Sequence, residues 1–231
     1  MAKFLKTANC GDCGLKLNLF CYMTEDQLDN VNNTRQEVQF NAGETIFKSG
    51  GPLTHIICLT KGLVKVCIEN NQGKKVLLSI GKPVQLIGGP GFLVDERHYV
   101  TVTAIEDTTA CYIETNHFKE VMKTNAEFSM EMVKYLNKRI IAYLDKISNL
   151  THKHMHGKMA DTFLYLADEI YNSDKFETRL SRQDLADMSA MTKESTIRVM
   201  KEFKDEGIMN FNTTHFEILK KGQLIKISEK G

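Results

Sequence analysis

Residues 180–206, LSRQDLADMSAMTKESTIRVMKEFKDE, predict two short helices joined by a tight turn. Ser181 is placed to cap the first helix, and Asp184 follows three residues later as its partner in a capping box. Thr192 is placed to cap the second helix, because its hydroxyl can accept a hydrogen bond from the first helical turn. The apolar residues predicted on or beside the inner face of the second helix are Ile197, Val199, Met200 and Phe203.

The second predicted helix presents a polar group near its N-terminus. The outward positions are Lys193, Glu194, Ser195 and Arg198. A helix-turn-helix protein uses such a group to contact base edges in the major groove of DNA. A solvated charged face on an ordinary helical hairpin would give the same pattern, so the surrounding sequence has to decide between the two interpretations.

The sequence after Gly207 predicts a small sheet. Three short strands are expected at residues 208–212 (IMNFN), 215–219 (HFEIL) and 224–228 (LIKIS), separated by turns. Residues 151–157 (THKHMHG) are expected to form a polar hinge, and residues 158–171 an amphipathic helix that supplies core side chains. Helix, turn, helix and a small sheet together are typical of a winged helix-turn-helix.

Length and composition predict a globular protein. The 231 residues, 42% of them hydrophobic, are enough for a core and for two domains. No apolar run is long enough for a membrane span or a secretory signal, so the expected location is the cytoplasm, with no membrane association. Residues 151–231 contain 13 basic and 13 acidic side chains, which favours a sequence-specific DNA reader over a non-specific coat.

Residues 38–113 change to short alternating or apolar runs separated by turn signals. Eight strands are predicted, at VQF, TIF, HIICL, LVKVCIE, KVLLSI, VQLI, VTVTAI and ACYI. This number of short strands is typical of a sandwich or jelly roll. A short helix at residues 25–32 is expected to lead into it.

Residues 125–150 predict one long helix. Its apolar residues recur at alternating steps of three and four, at Val133, Leu136, Ile140, Tyr143, Ile147 and Leu150. Such a seam favours pairing with a second copy of the chain, although a helix packed on its own β-domain is the alternative.

Three cysteines lie close together near the start of the chain. Cys10 and Cys13 form a Cys-x-x-Cys pair, and Cys21 follows after seven intervening residues. Thiolates at this spacing can hold a metal or a cluster, whereas a redox-active dithiol and inert thiols are the other interpretations. The sequence contains no recognisable catalytic triad, paired-carboxylate cleft or Walker loop, so no enzymatic activity is expected.

The order of these parts resembles the Crp/Fnr family of bacterial transcription regulators. The likeness is carried by FNAGETIFKSGG (40–51), TKGLVKVCI (60–68) and RQDLADMSAMTKESTIRVMKEF (182–203). The resemblance implies an α+β fold: an N-terminal jelly roll like a cyclic-nucleotide-binding domain, a long dimerisation helix and a C-terminal winged helix-turn-helix. The corresponding domains are residues 1–124 for the cysteine loop and β-roll sensor, 125–150 for the dimerisation helix and 151–231 for DNA binding.

The resemblance also implies the DNA contacts. The cyclic-AMP receptor branch presents Arg-Glu-x-x-x-Arg, and this chain has Lys193, Glu194 and Arg198 at those positions. Arg198 would donate to guanine and Glu194 accept from cytosine, while Lys193 replaces a planar guanidinium by a point charge. Residues implied to hold phosphates or border the bases are Arg182, Gln183, Thr192 and Ser195. The implied partners are a palindromic operator, a second copy of the chain in a homodimer, and RNA polymerase.

The effector implied by the resemblance is less direct. Gly89 stands where cyclic-AMP-binding members have a glutamate, and His98 and Tyr99 stand where they have Arg-Ser, so cyclic AMP is expected to bind poorly if at all. In the oxygen-sensing branch, four cysteines hold a 4Fe–4S cluster that oxygen or nitric oxide destroys. The corresponding ligands here are Cys10, Cys13, Cys21 and Cys111. Seven residues separate the second and third ligands instead of five, which leaves zinc, haem or bare thiols as alternatives.

Overall fold

The computed structural model of the chain describes residues 3–5 and 18–231, with side chains from Leu19 onward. The described residues form two compact units. The first unit runs to Ile68 and resumes over Ile80–Ala142, and the second comprises Glu69–Ser79 and Tyr143–Gly231. None of the described helices combines the length and the apolar character needed to cross a membrane.

The eight strands predicted between residues 38 and 113 are confirmed. They are β2 Gln36–Phe40, β3 Thr45–Phe47, β4 His55–Lys61, β5 Val64–Glu69, β6 Lys75–Gly81, β7 Leu86–Ile87, β8 Thr101–Ala104 and β9 Thr108–Glu114. With β1 (Lys3–Leu5), they form a five-stranded sheet in the order β1-β2-β9-β4-β7 and a four-stranded sheet in the order β3-β8-β5-β6. The arrangement is the predicted β-roll.

The turn between β4 and β5 depends on Gly62. Its φ of 82° lies in the left-handed region, and an added Cβ would stand 2.6 Å from the carbonyl oxygen of Asp107. A larger residue would therefore be strained by its own backbone and would also collide with a neighbouring chain segment. This requirement explains the glycine within the segment TKGLVKVCI.

A buried cluster joins the five-stranded sheet to the helices before and after the strands in sequence. The helical segments are a 3₁₀ helix at Asn18–Tyr22, α1 at Glu25–Thr34, α2 at Thr115–Thr124 and α3 at Ala126–His152. The ring of Phe118 lies at the centre of the cluster, 6.1 Å from Phe20 and 5.9 Å from Phe128. Asn125 donates from Nδ2 to the carbonyl oxygen of Tyr22 at 2.7 Å. This bond fixes the 3₁₀ helix against the junction of α2 and α3.

The long helix predicted at residues 125–150 is confirmed as α3. Its first half is attached to β7 through the backbone of Leu86, whose N–H donates to the hydroxyl of Tyr135 at 3.0 Å. The carbonyl oxygen of Leu86 accepts from Arg139 Nη1 at 2.6 Å. These bonds orient the first half of α3, on which the seam residues Val133, Leu136 and Ile140 are exposed.

The second unit is built on helices and one small sheet. Its helices after α3 are α4 Met155–Tyr165, continued by a π-helical stretch at Leu166–Tyr171, then α5 Arg182–Ser189, α6 Lys193–Asp205 and α7 Lys221–Lys230. The sheet has the order β10-β12-β11, with β10 at Lys175–Glu177, β11 at Met209–Phe211 and β12 at His215–Ile218. The interruption between α3 and α4 covers only residues 153 and 154, so the hinge predicted at 151–157 is too long.

One predicted strand is wrong. Residues 224–228 lie in α7, where Leu224 is buried and Ile227 is partly buried three residues later, as the period of a helix requires. The third strand of the sheet is instead β10, which precedes the two-helix motif. Phe176 of β10 stacks on Phe216 of β12 with ring centroids 5.5 Å apart. β10 therefore pairs with the edge of β12 that the predicted third strand would have used.

Candidate nucleic-acid interface

Both α5 and α6 begin at the capping residues that the sequence indicated. The hydroxyl of Ser181 accepts from the N–H of Asp184 at 3.1 Å, and the carboxylate of Asp184 accepts from the N–H of Ser181 at 2.9 Å. Thr192 Oγ1 accepts from the N–H of Ser195 at 3.2 Å. Between them, Ala190 ends α5 with a φ of 49°. The two helix ends are therefore held in one geometry by local bonds.

The inner face of α6 packs on α5. The buried residues of α6 are Thr196, Val199, Met200 and Phe203, and those of α5 are Leu185, Ala186, Met188 and Ser189. Ile197, which the sequence grouped with the inner face, is 46% exposed. Thr196 takes its place in the core, because a helix advances about 100° per residue and the buried face is centred on Thr196 and Phe203.

The outer face of α6 carries the predicted polar group. Lys193, Glu194 and Arg198 are exposed, and Ser195 is partly buried beside its capping bond. All four positions lie in the first half of the helix, where a recognition helix meets base edges. The arrangement can present two cations and one carboxylate to a major groove at the same time.

Arg198 is held along the surface of α6. Its Nε lies 4.0 Å from Glu202 Oε1, and its Nη2 lies 3.7 Å from the sulfur of Met155. The other carboxylate oxygen of Glu202 is 2.6 Å from His156 Nε2. The side chains of Arg198 and Glu202 are 60% and 42% exposed, so their attraction is weak and the guanidinium can leave it at low cost.

Arg182 has a role that the sequence did not predict. Its guanidinium lies 5.3 Å from the ring of Phe211 and 5.0 Å from that of Phe216, and it donates to the carbonyl oxygen of Asn212 at 2.6 Å. Burial lowers the pKa of Arg182, although the side chain remains a cation at neutral pH. These contacts join the start of α5 to the hairpin β11–β12, 30 residues later in the chain. Gln183 is exposed and donates to Asp187 at 2.8 Å.

Two further cations, Lys204 of α6 and Arg179 before α5, lie beside the hairpin β11–β12. Lys204 Nζ lies 5.1 Å from the centroid of the Phe211 ring and donates to the carbonyl oxygen of Phe211 at 3.1 Å. Open grooves of about 580 and 590 Å³ flank the hairpin, and Lys204 lines the first while Arg179 lines the second. The alternating pattern that predicted the strands could not predict that these cations lie beside the hairpin, because their position there depends on the folded sheet.

The seam of α3 is a second exposed feature. Val133, Leu136, Ile140 and Ile147 are 47, 44, 53 and 55% exposed, and Tyr143 and Leu150 are partly exposed. Ile141 and Leu144 beside them are also exposed, at 58 and 59%. A row of apolar side chains of this length is typical of a protein–protein contact.

The predicted cysteine ligands are only partly within the described residues. Cys10 and Cys13 lie outside them. Cys21 is exposed at the 3₁₀ helix, and Cys111 is partly buried on β9, where its sulfur accepts from Arg35 Nη1 at 3.3 Å. Within residues 18–231 alone, no three His, Cys, Asp or Glu side chains are grouped closely enough to hold a metal ion.

Two family models match the sequence of the chain. The family model for the cyclic nucleotide-binding domain matches residues 37–125, and the model for the Crp-like helix-turn-helix domain matches residues 157–227. Together the two matches cover more than half of the chain. The chain belongs to the Crp/Fnr family of transcriptional regulators. As a Crp/Fnr regulator it binds DNA through its helix-turn-helix and is not an enzyme.

Several proteins resemble this Crp/Fnr regulator over most of their length. Electron transport regulator A of Shewanella oneidensis is 22% identical over 209 residues, which is 87% of this chain and 82% of that protein. The cAMP-activated global transcriptional regulator CRP of Salmonella typhimurium is 22% identical over 178 residues, 74% of this chain and 84% of that protein. The structure of FixK2 from Bradyrhizobium japonicum superposes with a TM-score of 0.77 at 15% identity, covering 84% of this chain and 97% of that one.

The positions at which the resemblance implies nucleotide binding in other members carry different side chains here. His98 is only 6% exposed, and its ring stacks on Phe47 with centroids 3.8 Å apart, so burial lowers its pKa. The hydroxyl of Tyr99 donates to Asp95 at 2.7 Å, and Arg97 Nη1 donates to the carbonyl oxygen of Gly50 at 3.1 Å. Gly89 contributes no side chain, so these positions offer neither the carboxylate nor the arginine of the nucleotide-binding pattern.

Proposed function

We propose that this Crp/Fnr regulator binds a palindromic operator as a homodimer and reads its bases through α6. The observation that carries the proposal is the exposure of Lys193, Glu194 and Arg198 together on the first half of a helix whose opposite face is buried. The neutral charge balance of residues 151–231 supports reading by specific contacts, since a general attraction to phosphates would need a surplus of cations.

Each exposed side chain has a base that suits it. Arg198 donates two parallel hydrogen bonds to O6 and N7 of guanine, and Glu194 accepts from N4 of cytosine. Lys193 supplies one ammonium group, a point charge without the planar fork of an arginine. Gln183, Thr192 and Ser195 set the register by contacts to phosphates or at the edge of the bases, and Arg182 holds the β11–β12 hairpin beside α5.

Pairing of two α3 helices places the two recognition helices on one face of the DNA. The exposed seam at Val133, Leu136, Ile140, Tyr143, Ile147 and Leu150 supports this contact, because apolar residues at heptad spacing interlock between two helices. The half-sites of the operator then lie about one helical turn apart, or about 34–36 Å. In this proposal residues 1–124 sense the signal, residues 125–150 pair the protomers, and residues 151–231 bind DNA and contact RNA polymerase.

Selection of bound duplexes from a random pool tests the proposal. The expected result is a palindrome whose affinity falls about 5- to 150-fold with Arg198→Ala, because each good bidentate pair contributes about 1–3 kcal/mol of discrimination. Lys226→Ala on α7 is the matched control, since it removes an exposed cation from a helix outside the two-helix motif. Failure to enrich any sequence, or equal losses in both variants, would contradict the proposal.

We propose further that the signal acts through an iron–sulfur cluster held by Cys10, Cys13, Cys21 and Cys111. When bound, such a cluster supplies an inorganic centre that oxygen or nitric oxide dismantles. Leu19, Phe20 and Met23, which surround Cys21 in sequence, are buried in the hydrophobic core against which Cys111 also packs. This supports a shared site for the two sulfurs. Arg35 donates to the sulfur of Cys111, so a cation lies beside one sulfur of the proposed ligand set. A relative named as an electron transport regulator adds support.

Iron and acid-labile sulfide in protein purified without oxygen test the cluster. We expect both in the unmodified chain, and their loss in Cys21→Ser and Cys111→Ser. Cys67→Ser on β5 is the control, because that cysteine is outside the proposed ligand set, and it should retain both. Protein without iron and sulfide would contradict the proposal, and zinc in their place would identify a different metal.

A cyclic nucleotide is the second candidate for the signal, because the family model for the cyclic nucleotide-binding domain matches residues 37–125. The side chains at Gly89, His98 and Tyr99 oppose it, since an anionic phosphate needs a cationic or hydrogen-bonding partner where His98 is stacked on Phe47. Calorimetric titration with cyclic AMP is therefore expected to give no binding heat. A saturable heat would favour the nucleotide over the cluster.

A further inference from the structure

Ile197 is an apolar residue in a polar surface. All thirteen residues of α6 belong to the described part of the chain, and Ile197 is the one apolar side chain among those that are exposed. The other exposed residues of α6 are Lys193, Glu194, Arg198, Lys201, Lys204 and Asp205. With 46% of its surface exposed, Ile197 leaves an apolar patch in the middle of the recognition helix.

The packing of the domain does not account for this side chain. The core positions of α6 are filled by Thr196, Val199, Met200 and Phe203, so Ile197 is not needed to complete the contact with α5. Single exposed apolar residues are ordinary on protein surfaces, so exposure alone carries no argument. What singles out Ile197 is its place, one helical turn from two exposed cations, Lys193 and Lys201, and next in sequence to Arg198.

A side chain without donors or acceptors can recognise one group on the edges of the base pairs. In the major groove, guanine, cytosine and adenine present hydrogen-bonding atoms, whereas thymine also presents its 5-methyl group. Isoleucine placed against the other bases would remove water from polar atoms without replacing their hydrogen bonds, which is unfavourable. Against thymine it buries a methyl group and gains the hydrophobic contact.

From this placement we infer that Ile197 contacts the 5-methyl group of a thymine in each half-site, next to the base pair that Arg198 reads. The inference rests on the proposed function and adds a base preference to it. Ile197 thereby discriminates thymine from the three other bases at one position of each half-site. The residue is a specificity determinant that acts through shape and apolar contact, beside the hydrogen bonds of Glu194 and Arg198.

The test uses the full chain and a duplex obtained by the selection experiment. Each thymine of one half-site is replaced in turn by uracil, which differs only in lacking the methyl group. At one position we expect the dissociation constant to rise about fourfold, the transfer preference of one buried methyl group. The same replacement should have no effect on Ile197→Ala, whose own affinity for the unmodified duplex should be lower by a similar or larger factor.

Ile225→Ala provides the matched control, because Ile225 is 39% exposed on α7, outside the two-helix motif. It should keep the full sensitivity to uracil. Alanine favours helix more than isoleucine does, so Ile197→Ala is expected to fold, and circular dichroism checks this. If no thymine position responds, or if Ile197→Ala responds as the unmodified protein does, the inference is overturned while a selected, Arg198-dependent operator still supports the proposed function. Absence of any selected operator would overturn both.

Discussion

Replacing Glu202 with glutamine is expected to strengthen binding to the operator. Arg198 Nε lies 4.0 Å from Glu202 Oε1, and a guanine can engage the guanidinium only after this contact is given up. The contact therefore subtracts from the binding free energy. Exposed pairs of this kind contribute about 0.2–1 kcal/mol, which corresponds to a gain of about 1.4- to 5-fold in affinity when the pair is removed.

Fluorescence anisotropy with a labelled operator at fixed salt measures this gain. Loss of any carboxylate near DNA reduces repulsion from the phosphates, so the control must lose the same charge from the same helix. Asp205→Asn meets this need, because Asp205 is exposed at the end of α6 and lies seven residues from Arg198. Glu202→Gln should exceed this control by the stated factor, and the excess should vanish in an Arg198→Ala background.

Replacing His156, which contacts Glu202, tests the same effect in a second way. His156 Nε2 is 2.6 Å from Glu202 Oε2, so the imidazole holds part of the carboxylate away from Arg198. His156→Ala should leave Glu202 free to pair more closely with Arg198 and should weaken operator binding. Equal gains in Glu202→Gln and Asp205→Asn, or an excess that survives Arg198→Ala, would refute the idea that Glu202 competes with DNA.

Three further predictions concern assembly and stability. Ile140→Glu should convert the proposed dimer to a monomer in sedimentation equilibrium, because it places a charge in the exposed seam, whereas Ser148→Glu beside the seam should not. Phe203→Ala should lower the free energy of unfolding of the second unit by about 3–5 kcal/mol in urea, since the ring is 1% exposed beneath α6. Burial lowers the pKa of Lys146 to about 8, below its ordinary value of 10.5. The unfolded chain therefore binds more protons between these two pH values, and stability should rise with pH across that window by on the order of 3 kcal/mol. Lys146→Met should be more stable at neutral pH and should lose this rise.

Local sequence patterns were sufficient for much of the fold. Alternating strands between residues 38 and 113 and the two caps at Ser181 and Thr192 rest on interactions within a few residues, and all were confirmed. The run at residues 224–228 shows the limit of this approach. Its apolar residues suit either a strand or a helix. The outcome depends on β10, which lies about 40 residues before β12 in the chain and already pairs with the edge of β12 where a third strand could add.

The candidate site shows the same division. Exposure of Lys193, Glu194 and Arg198 follows from the helical period, so the sequence predicted it. The contacts of Arg182 with Phe211 and Asn212 depend on residues about 30 positions away and could not be predicted from spacing. The exposure of Ile197 was missed because hydrophobicity alone assigns isoleucine to the core, whereas Thr196 fills that position.

The acidic residues of α6 have a consequence for selectivity in the proposed complex. Glu194 is exposed on the DNA-facing side, where any nearby phosphate repels it, and only a cytosine amino group at the right position offsets that repulsion. A duplex without that cytosine therefore meets a penalty in addition to a missing bond. Since residues 151–231 have no surplus of cations to compensate, random DNA should bind weakly. Glu194→Gln should consequently raise affinity for random duplexes more than for the operator, and a gain on the operator alone would contradict this argument.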